Sequence, residues 1–356
     1  MILTITTDFS TFAGYAELAV QLISPTKGIL SEQRTLWTDT SRELKVDIPI
    51  AEDSKEAKVV VFPIGPIIPK TSTPFLSKFV CRPLPHIVGV ESPRFAPKTA
   101  ARIDSVYREF VIDGFPFRIA EQSGETIIRH VWDAGIILSA AATCNPVSLL
   151  PDELQTFMQM TGIYGATKIL EMGTGVGVLG ISLAAQFPEA KVVVTDLEDA
   201  EPFVRENISI NSPNFPHLRE NISFRTLDWG DRRFPDWTLN ETFDLIVMAD
   251  VTYNTSTFVA LADTLEHLLK HGATGAQVVC CGKRRHEEEE EFWRIVLGRG
   301  FLVHQRTMFT MDLNGIFRHC QDGMKKDGEQ VIDFIIMNTS LTSNNWAAAK
   351  ATPTIC

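Results

Sequence analysis

The chain is short of several things that would fix its class at once. Its 356 residues contain no apolar run of membrane length, so no segment reads as a membrane-spanning helix. The opening residues, Met1-Ile2-Leu3-Thr4-Ile5-Thr6-Thr7-Asp8, lack the basic flank of a secretory leader. The six cysteines, Cys81, Cys144, Cys280, Cys281, Cys320 and Cys356, show no Cys-x-x-Cys spacing. No disulfide framework and no metal site is expected. Reduced thiols in an intracellular compartment are expected instead, the cytoplasm first and the nucleus second. An excess of basic charge is missing too. A net charge of −11 and a pI near 5.3 disfavour a general nucleic-acid binder and suit a basic partner. There is no internal repeat, and no biased run beyond Glu287 to Glu291. Those carboxylates read as a solvated helix N-terminus, where they complement the dipole, or as a docking surface for a basic partner.

What is present is a concentration of glycine at one place. Ile169-Leu170-Glu171-Met172-Gly173-Thr174-Gly175-Val176-Gly177-Val178-Leu179-Gly180 reads as a buried strand, a glycine turn and a helix start. Glycine lets the backbone adopt positive φ and lets a ligand come close to the main chain. The helix offers unpaired N–H groups at its mouth. Gly175-x-Gly177-x-x-Gly180 matches a dinucleotide fingerprint, and an ordinary strand-to-helix turn would also look like this. Glu171, Gly173, Gly175 and Gly177 also form Glu-x-Gly-x-Gly-x-Gly, the first motif of AdoMet-dependent methyltransferases. An acid such as Glu171 at an apolar strand end needs a polar partner, for which a ligand amine would serve.

Later strands carry the same theme. Lys191-Val192-Val193-Val194-Thr195-Asp196 ends in a carboxylate 21 positions after Gly175 (196 − 175). Asp196 can accept hydrogen bonds from both hydroxyls of a ribose, or cap the helix that follows. Leu227-Asp228-Trp229-Gly230 places an acid and an indole where an adenine could be read, its amine by Asp228 and its face by Trp229. Phe243 to Ala249 reads as a further strand, leading into Asp250-Val251-Thr252-Tyr253. In open α/β sheets this carboxyl edge of the strands holds the ligand crevice.

Five segments in order, His130-Val131-Trp132-Asp133-Ala134-Gly135, Glu171 to Gly175, Thr195-Asp196, Leu227 to Gly230 and Ala249 to Tyr253, resemble the class I, seven-strand AdoMet-dependent methyltransferases. More narrowly, the chain is similar to methyltransferase family 16, whose characterised members are largely protein-lysine methyltransferases. The resemblance implies a doubly wound, mostly parallel sheet with an antiparallel last strand. It implies AdoMet as cofactor and a protein substrate presenting a lysine. By the same resemblance Trp132 lines the cofactor pocket, Gly173 and Gly175 approach the methionine part, and Glu171 and Thr174 belong to the same cofactor-binding turn. Asp196 takes the ribose, Trp229 and Asp228 lie at the adenine, and Ala249 offers main-chain contacts. Asp250 and Tyr253 face the target amine. Asp250→Ala is then expected to remove transfer while leaving AdoMet binding intact.

The organisation expected along the chain is an N-terminal β-rich, proline-rich extension (1–105), a methyltransferase domain (106–338) and a flexible tail (339–356). Eight of the nineteen prolines fall between Pro63 and Pro97, a density that disfavours long helices. Tyr107 to Ile112 and Phe115 to Ala120 flank an Asp113-Gly114 turn and read as a hairpin, with Pro116 placing its second strand at a sheet edge. A third strand is expected at Glu125 to His130. From Pro151 strands alternate with helices, the pattern of a doubly wound sheet. Two other functions stay open on the residues alone: a small-molecule N- or O-methyltransferase and a NAD-dependent oxidoreductase.

Overall fold

The structure, a computed structural model, describes residues 2–6, 15–38, 43–49, 56–64, 90–92, 94–96, 105–122, 127–145, 147–271, 275–311, 317–319 and 330–339. Cys81, Cys320, Cys356, most of the proline-dense stretch and the tail beyond residue 339 lie outside the described residues.

Among the described residues the N-terminal elements are all strands: β1 (Ile2–Thr6), β2 (Tyr15–Ser24), β3 (Gly28–Thr38), β4 (Glu43–Asp47), β5 (Lys58–Pro63), β6 (Val90–Glu91), β7 (Ser105–Ile112) and β8 (Phe115–Gln122). Then follow α1 (Asp133–Ala142), α2 (Asp152–Met160), β9 (Lys168–Met172), α3 (Val178–Gln186), β10 (Lys191–Asp196), α4 (Glu201–Asn211), α5 (Leu218–Asn221) and β11 (Ile222–Thr226). The last third holds α6 (Trp237–Asn240), β12 (Leu245–Ala249), α7 (Phe258–His271), β13 (Gln277–Arg284), α8 (Glu290–Gly298), β14 (Phe301–Met311), β15 (Phe317–His319) and β16 (Gln330–Thr339).

The large sheet has the order β11-β10-β9-β12-β13-β16-β14-β15. β9 to β13 run parallel, and β16 enters antiparallel between β13 and β14. Strand order reverses between β9 and β12, which opens a crevice at their carboxyl ends. Parallel strands are buried on both faces, and alternation divides each strand between two cores. Leu245 and Val247 face one core with α1 and α3, whereas Ile246 and Met248 face the other with α7 and α8. The expected doubly wound sheet is therefore present, with the three-residue β15 as an eighth strand.

Asp113 and Gly114 both adopt positive φ, 47° and 84°, as a two-residue hairpin turn requires. β8 is the edge of a second, six-stranded sheet, β3-β2-β5-β6-β7-β8, so Pro116 stands on an edge strand. This sheet spans residue 105: Glu91 pairs with Tyr107. The hairpin also lends Phe110, Ile112, Phe117 and Ile119 to the main core. Each such fully buried side chain contributes about 2 kcal/mol. Of the strand expected at Glu125 to His130, the described part, from Ile127 on, is not extended. Ile127–Arg129 is a single 3-10 turn, because the Trp132 indole N–H donates to the Ile127 carbonyl at 3.1 Å and folds the segment back.

Candidate active site

The glycine turn is shaped by a buried acid. Glu171 Oε2 accepts from the Thr174 hydroxyl at 2.5 Å and from the Gly180 N–H at 2.9 Å. The second bond satisfies one of the orphan donors at the start of α3, whose N-cap, Gly177, has no side chain to do so. A side chain at Gly180 would meet Val194 at 2.2 Å and this carboxylate at 2.5 Å, so helix and strand can approach only over a glycine. Burial pushes the Glu171 carboxyl up to about 7; the Thr174 and Gly180 bonds oppose the rise, and Asp196 adds to it. The polar partner that Glu171 needs is thus internal. The Thr174 hydroxyl spends its one donor on this carboxylate. Gly173 has φ +73°, and a Cβ there would lie 2.7 Å from Val251 and 3.2 Å from the Trp229 ring, so the turn stays thin between them.

Asp196 stands beside this turn at the end of β10. Its Oδ2 accepts from the Gly175 N–H and its Oδ1 from the Leu197 N–H, both at 2.8 Å. A carboxylate has about four acceptor positions, so one remains on each oxygen, which is the pattern that two vicinal hydroxyls of a ribose would fill. Burial raises its pKa, against the two backbone bonds. Leu197, 44% exposed, presents an apolar side chain directly after it. Nothing in the sequence pattern singled this leucine out; its exposure next to a half-buried acid is the signal. Trp229 packs against the second core, and its indole N–H is buried without a partner among the described residues. Asp228 is exposed and uses Oδ1 to accept from Gly230 N–H at 2.7 Å, a local turn.

The roof of the crevice is Trp132, which precedes α1. Its ring lies parallel to Tyr253, with an interplanar angle of 7° and 6.4 Å between centroids, and the Arg285 guanidinium sits 5.4 Å from its centroid. Such ring and cation contacts hold a flat side chain in one orientation. Tyr253 is 42% exposed, and its hydroxyl makes no hydrogen bond among the described residues. Burial and the nearby Asp196 charge raise its pKa above the ordinary value, so it stays a neutral phenol. Ala249 ends β12, half-buried against the core.

Asp250 is elsewhere than expected. Its side chain is 2% exposed. Oδ2 accepts from Ala134 N–H at 2.9 Å, and Oδ1 accepts from Lys283 N–H at 2.9 Å and from Arg285 Nη1 at 2.8 Å. The carboxylate is a clamp between α1 and β13, and it does not face a target amine. A left-handed backbone at Asp250, φ 54°, turns it inward. Lys283 in turn donates to Asp133 Oδ2 at 2.6 Å, so one ion pair ties α1 to β13, while a second, Arg285–Asp250, holds the residue after β13 to the residue after β12. Lys283 and Arg285 were visible in the sequence only as a basic run before the acidic one. That acidic run also divides. Glu289 caps its own turn, Glu290 pairs with Arg284 and Arg306, and Glu287 and Glu288 are exposed. A small cavity lined by Thr252, Gly282, Arg284, Glu290 and Asp333 lies on this side and does not border the glycine turn.

The strand order, the glycine turn and the acid at the end of β10 define a seven-strand methyltransferase architecture. The family model described as lysine methyltransferase matches residues 112–298. The chain belongs to that family. It is 31% identical over 229 residues to a UPF0665 family protein of Schizosaccharomyces pombe, covering 62% of this chain and 63% of that one. It is 32% identical over 143 residues to the protein N-lysine methyltransferase METTL21A of Mus musculus, covering 40% and 56%. The chain therefore spans less than two thirds of the length of both relatives. Among solved structures, the N-methyltransferase NodS of Bradyrhizobium japonicum aligns at 19% identity and a TM-score of 0.34, over 52% of this chain and 93% of that one.

Proposed function

We propose that the protein transfers a methyl group from AdoMet to the side-chain amine of a lysine in a protein substrate. The observation that carries this reading is the pairing, on one edge of the sheet, of two groups with unused capacity. Asp196 keeps an acceptor position on each oxygen, and Tyr253 keeps an uncommitted hydroxyl under Trp132. Family membership and the N-lysine activity in the name of the Mus musculus relative supply the acceptor class.

Asp196 and the glycine turn would hold the cofactor, with Leu197 and Trp229 offering apolar surface to its base. When bound, AdoMet supplies an electrophilic methyl on a positively charged sulfur. The rest falls to the chain. A lysine ammonium has a reference pKa of about 10.4, so it must shed a proton before it can attack. Tyr253, held as a neutral phenol, is not a base. Its oxygen can accept from an amine N–H and so aim the nitrogen lone pair, while Trp132 and the Tyr253 ring limit the approach to one line. Positioning of this kind accounts for much of the acceleration in a displacement whose leaving group is already good. The proton leaves to water.

The test is methylation of an extract from cells lacking this protein, with isotopically labelled AdoMet, read by mass spectrometry. Label on lysine side chains of one or a few proteins supports the reading. Label only in small metabolites replaces it with the small-molecule alternative, and a chain that binds NAD and not AdoMet overturns it. Tyr253→Phe keeps the ring and removes the hydroxyl. We expect kcat to fall about tenfold or more, with AdoMet affinity within about twofold.

A further inference from the structure

The exposed edge of β8 is closed by side chains of a helix. Asn207 Oδ1 accepts from Ala120 N–H at 2.7 Å, and its Nδ2 donates to Ala120 O at 3.1 Å. One turn later, Asn211 Oδ1 accepts from Arg118 N–H at 2.8 Å, and its Nδ2 donates to Arg118 O at 2.6 Å. Asn214, just past the end of α4, donates to Pro116 O at 2.8 Å. The fit is geometric. Four residues of α-helix rise about 6 Å, and two residues of strand rise about 6.7 Å. Carboxamides one helical turn apart therefore meet alternate residues of an extended strand. Those alternate residues turn their main-chain groups away from β7, so the asparagines act as the strand partner that the sheet lacks. Pro116, without an N–H, needs only the single acceptor contact that it receives.

Asn207 does one thing that the others do not. Its Nδ2 also donates to Val176 O at 2.8 Å, inside the glycine turn. Val176 follows Gly175, whose N–H holds Asp196. Asn207 is fully buried, and its amide has used both donors and its acceptor. We infer that Asn207 is a positioning residue for the cofactor site: it fixes the glycine turn against the edge of the N-terminal sheet, and so sets the Gly175–Asp196 contact on which ribose binding depends. The inference rests on the AdoMet reading for its affinity readout, but not for its dynamic one.

The experiment compares Asn207→Ala with Asn211→Ala. Both lose bonds to the β8 edge, so both should lower Tm. Asn207→Ala alone should weaken AdoMet binding by calorimetry about fivefold, the factor that one lost neutral hydrogen bond represents. It alone should also speed amide hydrogen exchange at Gly175 and Gly177, by about tenfold. If Asn207→Ala does not fold, Asn207→Ser, with a smaller void, reads the same two quantities. Affinity and exchange within about twofold of the Asn211 variant overturn the inference. An unsubstituted chain that fails to bind AdoMet sinks the cofactor reading instead, and the exchange comparison still decides the role of Asn207.

Discussion

Replacing Asp250 by Asn separates two roles for this acid. In the structure its carboxylate answers three donors, from Ala134, Lys283 and Arg285. The better orientation of an Asn keeps its oxygen on Lys283 and Arg285 and turns its NH2 toward the buried Ala134 N–H. Two donors then face each other, and an unsatisfied buried N–H costs about 1–3 kcal/mol. The charge of Arg285 also loses its partner. Breaking a buried pair costs about 3–5 kcal/mol, but the Arg285 side chain is 23% exposed, so water recovers part of that, and the Asn oxygen keeps a neutral hydrogen bond. A total of about 3 kcal/mol follows, or roughly 6–12 °C in Tm for a cooperative unit of about 200 residues. Asn tolerates the left-handed backbone at this position, whereas Ala does not. Asp250→Ala should therefore lose a further ~1 kcal/mol.

Thermal melting followed by circular dichroism measures the shift, and methyl transfer well below the variant's Tm measures the chemistry. A clamp predicts a clearly lowered Tm with activity that returns in part when the assay is cooled. A carboxylate acting directly on the target amine predicts the reverse, an unchanged Tm and no transfer at any temperature. Asp250→Asn with a Tm within about 1 °C of the unsubstituted chain would refute the clamp.

Other outcomes follow from the same geometry. Glu171 has a folded pKa raised to about 7 from 4.5, so its contribution is complete below about 4.5 and is lost as pH rises through 7. His267 is the opposite case. Burial, then His271 and Lys270, lower it to about 4 from 6.5, so stability rises with pH across that window. The two slopes oppose each other in the unsubstituted chain. Tm against pH should therefore slope upward more steeply between about 4.5 and 6.5 in Glu171→Gln and less steeply in His267→Gln; unaltered slopes in both would count against the assignment. Gly173→Ala forces a Cβ to 2.7 Å from Val251 at φ +73°. It should lower stability by about 3 kcal/mol and shift Trp fluorescence as the Trp229 ring moves. Asn254 Oδ1 accepts from Ser256 N–H at 3.1 Å at the turn leading into α7, so Asn254→Ala should cost about 1 kcal/mol by denaturant titration.

The sequence made the central sheet legible because parallel strands covered on both faces appear as short continuous apolar runs. The runs that begin at Ile169 and at Lys191 mark the strands Lys168–Met172 and Lys191–Asp196. It hid α1 for the same reason. Nine of its ten residues are buried, so no polar face marks a helical period. The joining of the hairpin to the N-terminal strands was also out of reach. Among the described residues it rests on the pairing of Glu91 with Tyr107 and on the Arg118–Glu91 ion pair, across a stretch whose sequence carries no pairing signal. At the site, Asp196 and the glycine turn were readable because strand-end acids and glycine spacing are local patterns. The partners of Asp250 were not, since Lys283 and Arg285 become its neighbours only when β12 pairs with β13.

The inward turn of Asp250 also fits the proposed chemistry better than the expected one. A free carboxylate touching a lysine stabilises the ammonium and raises its pKa, and the ammonium cannot attack a methyl group. Here the acid is already matched by Arg285, and Asp133 by Lys283, so both of these carboxylates are neutralised inside the protein. The group left open at the gate is the Tyr253 phenol, which can orient an amine without favouring its charged form. Asp250 then serves transfer at one remove. It holds Arg285 under Trp132, and Trp132 faces Tyr253. Loosening that chain of contacts should blur the line of approach before it touches the affinity for the acceptor, which places the kinetic loss in kcat more than in KM.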